Sequence, residues 1–101
     1  MYYESHFMVD FTLPEDLTDE FFDLLPYQDS VVNKYLSNGK LVNYALSLEN
    51  GKLWAIFSAN SELEIREMLL DFPLTRFLQM EINLLTSYNA VHAGAAQFSL
   101  N

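Results

Sequence analysis

Apolar and polar positions along this 101-residue chain switch between two rhythms, one of period two and one near 3.6. From Tyr2 to Leu13, Tyr3, Phe7, Val9 and Phe11 fall on one side, with Ser5 among them, and Tyr2, Glu4, His6, Met8 and Asp10 on the other. That alternation predicts a strand whose more apolar side faces helices, closed by Pro14. Glu15–Asn38 reads as a helix. Its acids Glu15, Asp16, Asp19 and Glu20 suit a helix N-terminus, and Phe21, Phe22, Leu25, Val31, Val32, Tyr35 and Leu36 supply an apolar stripe. Pro26 predicts a kink or short break, and Asn38-Gly39 a helix end. Lys40–Leu48 and Lys52–Ala59 alternate around Glu49-Asn50-Gly51, and Asn-Gly between alternating runs signals a hairpin. Val42, Tyr44, Leu46 and Leu48 share one face of the first arm, and Leu41, Asn43, Ala45 and Ser47 the other. In the second arm Trp54, Ile56 and Ser58 oppose Leu53, Ala55 and Phe57. This parity predicts Tyr44 and Trp54 in the helix-facing core.

Ser61–Leu85 completes the pattern. Ser61 is an N-cap, and Glu64 three residues on makes a capping box. Ile65, Met68, Leu69 and Phe72 form a helical stripe that Pro73 stops. Leu78, Met80, Ile82 and Leu84 then alternate with Phe77, Gln79, Glu81 and Asn83 as a strand. The order β-α-β-β-α-β predicts an α+β, ferredoxin-like domain over residues 1–86: a four-stranded antiparallel sheet in order 4-1-3-2, with two helices on one face. Residues 87–101 are expected to form a C-terminal tail, with His92 a candidate to reach a neighbouring subunit's cleft. Two helices cover only one face of such a sheet. Tyr2, Met8, Leu41, Ala45 and Phe77 are expected on the other, and an exposed apolar face usually marks an interface. Two sheets packed face to face would give a homodimer or higher homo-oligomer of the dimeric α+β barrel type.

Composition narrows the classes. Half the residues are hydrophobic and 15% aromatic, which excludes disorder. With no cysteine, disulfide, thiolate and cysteine-zinc chemistry are absent. The net charge is −9, from fourteen acids and five scattered bases, so neither nucleic acid nor an anionic membrane surface is expected as a partner. No apolar run reaches the ~20 residues of a membrane span. Met1-Tyr2-Tyr3-Glu4 lacks the basic start of a signal peptide, so the expected location is the cytoplasm.

From Gly39 to Leu85 the element lengths are similar to those of the muconolactone isomerase family. Phe57, Ser61, Leu69, Pro73-Leu74, Glu81 and Leu85 match that family, as do Leu13-Pro14 and His6 upstream. The resemblance covers most of residues 3–85. It implies the dimeric α+β barrel fold, and cytoplasmic catabolic enzymes that need no cofactor and assemble through their sheets. One departure bears on substrate. Where the family's second strand carries tryptophan, arginine and histidine, then another tryptophan-arginine pair, this chain has Leu41, Val42 and Asn43, then Ala45 and Leu46. Muconolactone bears a carboxylate, for which arginine is the natural partner, so a neutral or more apolar ligand fits this chain better.

His6 and Glu81 are the candidate catalytic pair. They lie on strands adjacent in the expected sheet, and a histidine with a carboxylate can move a proton between two carbons of a lactone or enone. Glu4, Asp10, Asn43 and Gln79 are the candidate ligand-binding residues around them. The function read from this is a muconolactone isomerase-like protein, a cofactor-independent isomerase moving a proton on a small lactone or related carbonyl compound. The alternative is a non-catalytic small-ligand-binding or oligomerisation module of the same fold. His6, Glu4, Asp10 and Glu81 lack the spacing of any metal motif, so no metal is expected. Asn43, Trp54 and His6 are faintly similar to the haem-degrading monooxygenases of this fold group, but parity assigns them to different faces. Three glycines make no phosphate loop, and the serines lack a nucleophile-elbow context.

Overall fold

The computed structural model describes residues 4–90, so the expectations for Tyr2, Tyr3 and His92 lie outside the described residues. β1 (Ser5–Thr12), α1 (Asp19–Ser37), β2 (Leu41–Ser47), β3 (Lys52–Ala59), α2 (Glu62–Leu69) and β4 (Gln79–Leu84) follow in the predicted order. The sheet runs β2-β3-β1-β4 with all pairings antiparallel, which is the expected order read from the opposite edge.

Alternation in β1 buries Phe7, Val9 and Phe11 and leaves His6, Met8 and Asp10 half-buried on the other side. β3 does the same with Leu53, Ala55, Phe57 and Ala59. Onto these pack Phe21, Val32 and Tyr35 of α1 and Ile65, Met68 and Leu69 of α2. Phe72, just past α2, stacks on Tyr35 at 5.3 Å and meets Phe57 edge-on at 6.0 Å, joining both helices to the sheet. Both turns that need a left-handed residue have glycine: Gly39 after α1 (φ 80°) and Gly51 in the hairpin (φ 65°).

The helix caps follow from side-chain chemistry. Thr18 Oγ1 accepts from the Phe21 N–H at 3.3 Å, and this starts α1 four residues later than the acids suggested. Ser61 Oγ accepts from the Glu64 N–H at 3.2 Å, and Glu64 reaches back to the Asn60 N–H at 2.7 Å. This is the predicted capping box with its return bond moved one residue outward. α2 ends at Leu69 rather than Phe72, because Leu70, Asp71 and Phe72 close tighter i→i−3 bonds.

Four expectations are corrected. Of the kink or short break expected at Pro26, the break is absent: α1 is continuous through Pro26, which lies on its exposed side, where water can satisfy the carbonyl four residues back. Leu41 is buried, because a β-bulge between Leu41 and Asn43 adds a residue to β2 and turns Leu41 to the core side opposite Phe57. Trp54 stands on the open face, opposite Ala45 and Asp10, not in the core. Phe77 belongs to a short 3-10 turn, Thr75–Phe77, and packs edge-on against Phe21 at 6.0 Å instead of on the open face. Tyr44 does face the helices, as expected.

Candidate functional site

The uncovered sheet face is organised by register into rows. One row runs Ala45, Trp54, Asp10, Glu81; the next runs Asn43, Ile56, Met8, Asn83; beyond it His6 pairs with Ser58. Met8, Trp54 and Ile56 form an apolar centre, and the ionisable candidates lie to either side.

At one end Asp10 faces Glu81 across the β1–β4 ladder. Lys52 Nζ lies 2.5 Å from Asp10 Oδ1 and donates to Thr12 Oγ1 at 3.1 Å. That Asp10 oxygen is shielded from water and has no aligned hydrogen-bond donor, so Lys52 serves it as a countercharge only. Asp10, Thr12, Lys52, Gln79, Met80 and Glu81 surround an open hollow of about 180 Å³. Ligand pockets generally enclose about 300–1,000 Å³, so this open hollow is small for a ligand pocket by itself.

At the other end His6 and Asn43 converge on Tyr88. After β4 the chain stays tied to β1 by the Leu85 N–H donating to the His6 carbonyl at 2.9 Å. It then carries the Tyr88 ring over the His6 imidazole, with centroids 4.7 Å apart and planes tilted by 37°. Asn43 Nδ2 donates to the Tyr88 hydroxyl oxygen at 3.3 Å. An imidazole face and a carboxamide donor thus hold one six-membered ring and its oxygen.

Glu4 lies next to the His6 end, held on Ser58, the cross-strand partner of His6. Lys40 binds Glu4, and Ser58 Oγ donates to Glu4 at 2.8 Å. Lys40 also pairs with Glu64 at 2.8 Å, joining the start of β1 to α2. Lys40, and then Ser58, hold the Glu4 carboxyl below its ordinary range; Lys40, and then the Asn60 N–H, do the same for Glu64. Hydrogen bonds to Glu4 and then Glu64 push the Lys40 ammonium upward. This is a structural clamp.

His6 and Glu81 share the open face but do not meet. Glu81 stands opposite Asp10, and His6 is four residues further along β1, about 13 Å at the usual strand rise. Asn43, Trp54 and His6 share this face after all, but each lies in a different row. Two participants escaped the sequence reading. Lys52 was legible in principle, because hairpin register sets it opposite Ser47 and beside Thr12. Tyr88 had no signal beyond being an aromatic residue just past a strand. Between helices and sheet, Gln28 and Tyr44 border a cavity of only about 10 Å³, room for roughly one water. Among the described residues no cluster of three or more His, Cys, Asp or Glu side chains could hold a metal ion, and no helix is long and apolar enough to cross a membrane.

A solved structure of muconolactone isomerase superimposes with a TM-score of 0.65, covering 87% of this chain and 96% of that one at 17% identity. This chain has a muconolactone isomerase-like fold. No protein-family model matches the sequence, and no curated protein does. At such low identity the likeness concerns the backbone: four antiparallel strands, two helices on one side and an uncovered face on the other.

Proposed function

We propose that this muconolactone isomerase-like protein binds a small ring compound bearing a carbonyl oxygen, such as a lactone, on its open sheet face, and shifts a proton on it without a cofactor. The observation that carries the reading is the arrangement of His6 and Asn43 around a ring and its oxygen. A lactone there keeps its oxygen on Asn43 but turns a C–H conjugated with the carbonyl to the edge of the His6 imidazole, where an in-plane nitrogen lone pair takes the proton; the pose of Tyr88 itself meets only the imidazole face. The electron pair of that C–H bond moves onto the carbonyl oxygen, where the Asn43 N–H donor stabilises it. The imidazolium then returns the proton to a different carbon as the carbonyl re-forms. Asp10, Glu81, Gln79 and Lys52 border the far end of the face and meet the polar groups of a longer ligand. Met8, Trp54 and Ile56 between the two ends support pairing of two sheets, which would exclude water from both.

The second reading, a non-catalytic ligand-binding or oligomerisation module, is favoured by one observation: Lys52 is already matched by Asp10, so the face lacks a free cation among its described residues for an anionic substrate. Incubation with a panel of small lactones in D2O, followed by proton NMR, separates the two. Isomerase chemistry predicts deuterium incorporation above the buffer rate, lost in His6→Gln and reduced in Asn43→Leu. Binding without exchange selects the non-catalytic module, and absence of binding by every lactone rejects a lactone site.

A further inference from the structure

Tyr88 occupies the very contacts on which the proposed function relies. Its phenol is a ring with one oxygen; the ring lies on His6, and the oxygen accepts from Asn43 Nδ2. The side chain is half-buried although it follows the last strand, at the edge of the described chain. The preceding anchor, the Leu85 N–H to the His6 carbonyl at 2.9 Å, fixes where the segment leaves β4 and so aims Tyr88 back over β1. Asn43 is carried on β2, on the far side of β3 from His6, and no direct hydrogen bond links the two side chains; Tyr88 spans the gap between them. Asn43 lies on the open face through the regular register of β2 with β3, opposite Ile56, and from there reaches the Tyr88 hydroxyl.

We propose that Tyr88 is an intramolecular plug. It fills, from within the same chain, the place on His6 and Asn43 that an oxygen-bearing ring ligand takes, and the ligand enters only by displacing it. The inference rests on the proposed function for the identity of the natural ligand, but the plug itself does not depend on that identity. A site filled by its own chain for most of the time binds external ligand more weakly by the fraction of time it is open. If the plug is seated about ten times as often as not, its removal tightens binding roughly tenfold. The contacts also define the ligand class: a flat ring for the imidazole face, with an acceptor oxygen for the carboxamide about one ring-length away.

The test is chemical complementation in the full chain. In Tyr88→Ala the His6 imidazole protons, assigned by comparison with His6→Gln, should lose the ring-current shift that Tyr88 imposes. Added p-cresol, which is the tyrosine side chain without its backbone, should restore that shift saturably in Tyr88→Ala and bind wild type about tenfold more weakly. Tyr88→Phe should keep the shift but bind p-cresol more tightly than wild type, because the Asn43 bond is lost. Identical His6 spectra in wild type and Tyr88→Ala, or equal p-cresol affinities for both, would overturn the proposal. A positive p-cresol result with no lactone binding to Tyr88→Ala would keep the plug and reject the lactone reading, so the two ideas fail separately.

Discussion

Replacing Gln28 with leucine tests how the face is held in place. Gln28 is 3% exposed, the one buried polar side chain among the described residues. Its Nε2 donates to the Tyr44 hydroxyl at 3.2 Å, and its Oε1 accepts from the buried Leu74 N–H at 3.1 Å. One amide therefore ties α1 to β2 and to the connection that follows α2. Leucine is close to glutamine in size, so the change removes two hydrogen bonds without opening a large cavity. The Leu74 N–H is left buried without a partner, at a cost of about 1–3 kcal/mol, and the loss of the Tyr44 bond adds about 0.5–1.5 kcal/mol. Burying a more apolar side chain offsets part of this, leaving a net loss of about 2 kcal/mol. Urea denaturation followed by circular dichroism reads it directly. With a slope of about 1.5 kcal/mol/M, the midpoint falls by roughly 1.3 M.

Two companions sharpen the result. In a Tyr44→Phe background, Gln28→Leu should still cost about 1–2 kcal/mol, because the Leu74 N–H is orphaned either way. Gln28→Glu retains an acceptor for Leu74 but adds a buried charge, so its penalty should shrink as the pH falls from neutral toward the ordinary carboxylate range and level off below it. A Gln28→Leu midpoint within error of wild type would refute the claim that the Leu74 bond matters. Disappearance of the whole cost in the Tyr44→Phe background would refute its independence from Tyr44.

Phe57, 1% exposed at the centre of β3, should cost about 3–5 kcal/mol on truncation to alanine, read from the same urea curves. Burial first, and then the hydrogen bond to Asp71, push the Tyr35 hydroxyl up to about 12. The fold thus favours the neutral phenol: its contribution is intact below about pH 10, the ordinary tyrosine value, and is lost as the pH rises toward 12. A melting-temperature series from pH 8 to 12 should fall more steeply for wild type than for Tyr35→Phe. Glu4 and Glu64 are held low by Lys40, so their share of stability is present above about pH 4.3 and lost as the pH falls further. Lys40→Met should flatten that acid limb in a melt series from pH 6 to 2.5. Trp54→Glu, which sets a charge in the apolar centre of the open face, should lower the apparent mass in sedimentation if the sheets pair as proposed, and leave far-ultraviolet circular dichroism unchanged.

How much of this was legible depends on how local the signal was. Asn50-Gly51 and the Ser61–Glu64 box act within a few residues of themselves, and each placed its turn or helix start correctly, whereas the helix end expected at Phe72, just before Pro73, comes three residues earlier, at Leu69, where i→i−3 bonds take over. Pro26 also acts locally, but its effect depends on whether the affected carbonyl meets water, which only the tertiary position of α1 decides. Trp54 misled because size suggested core. β3 carries large apolar side chains on both faces, Leu53 and Phe57 on one and Trp54 and Ile56 on the other, so alternation alone does not choose between them. The choice is made by pairing: Tyr44 and Ala55 face each other on the helix side, which sets Trp54 beside Ala45 on the open one. A single added residue at Val42 then reverses Leu41 relative to the rest of β2, and no residue type in Leu41–Asn43 announces it.

The site was harder still, because topology gives strand neighbours but not rows. His6 and Glu81 do sit on adjacent strands and on one face, as expected, yet β1 and β4 pair with Phe7 opposite Leu84 and Asp10 opposite Glu81. A pairing that brought Glu81 level with His6 would slide β4 four residues along β1. It would draw Met80 and Ile82 away from the core they pack against and move the 3-10 turn that seats Phe77 on Phe21. Register is therefore fixed by apolar packing on the hidden face, and the polar face inherits whatever rows result. The row that His6 inherits contains no acid from β4. Its ring partner comes from beyond the last strand and its amide partner from a strand two places away, which is why residue type and parity named His6 and Asn43 separately while only the folded chain joins them through Tyr88.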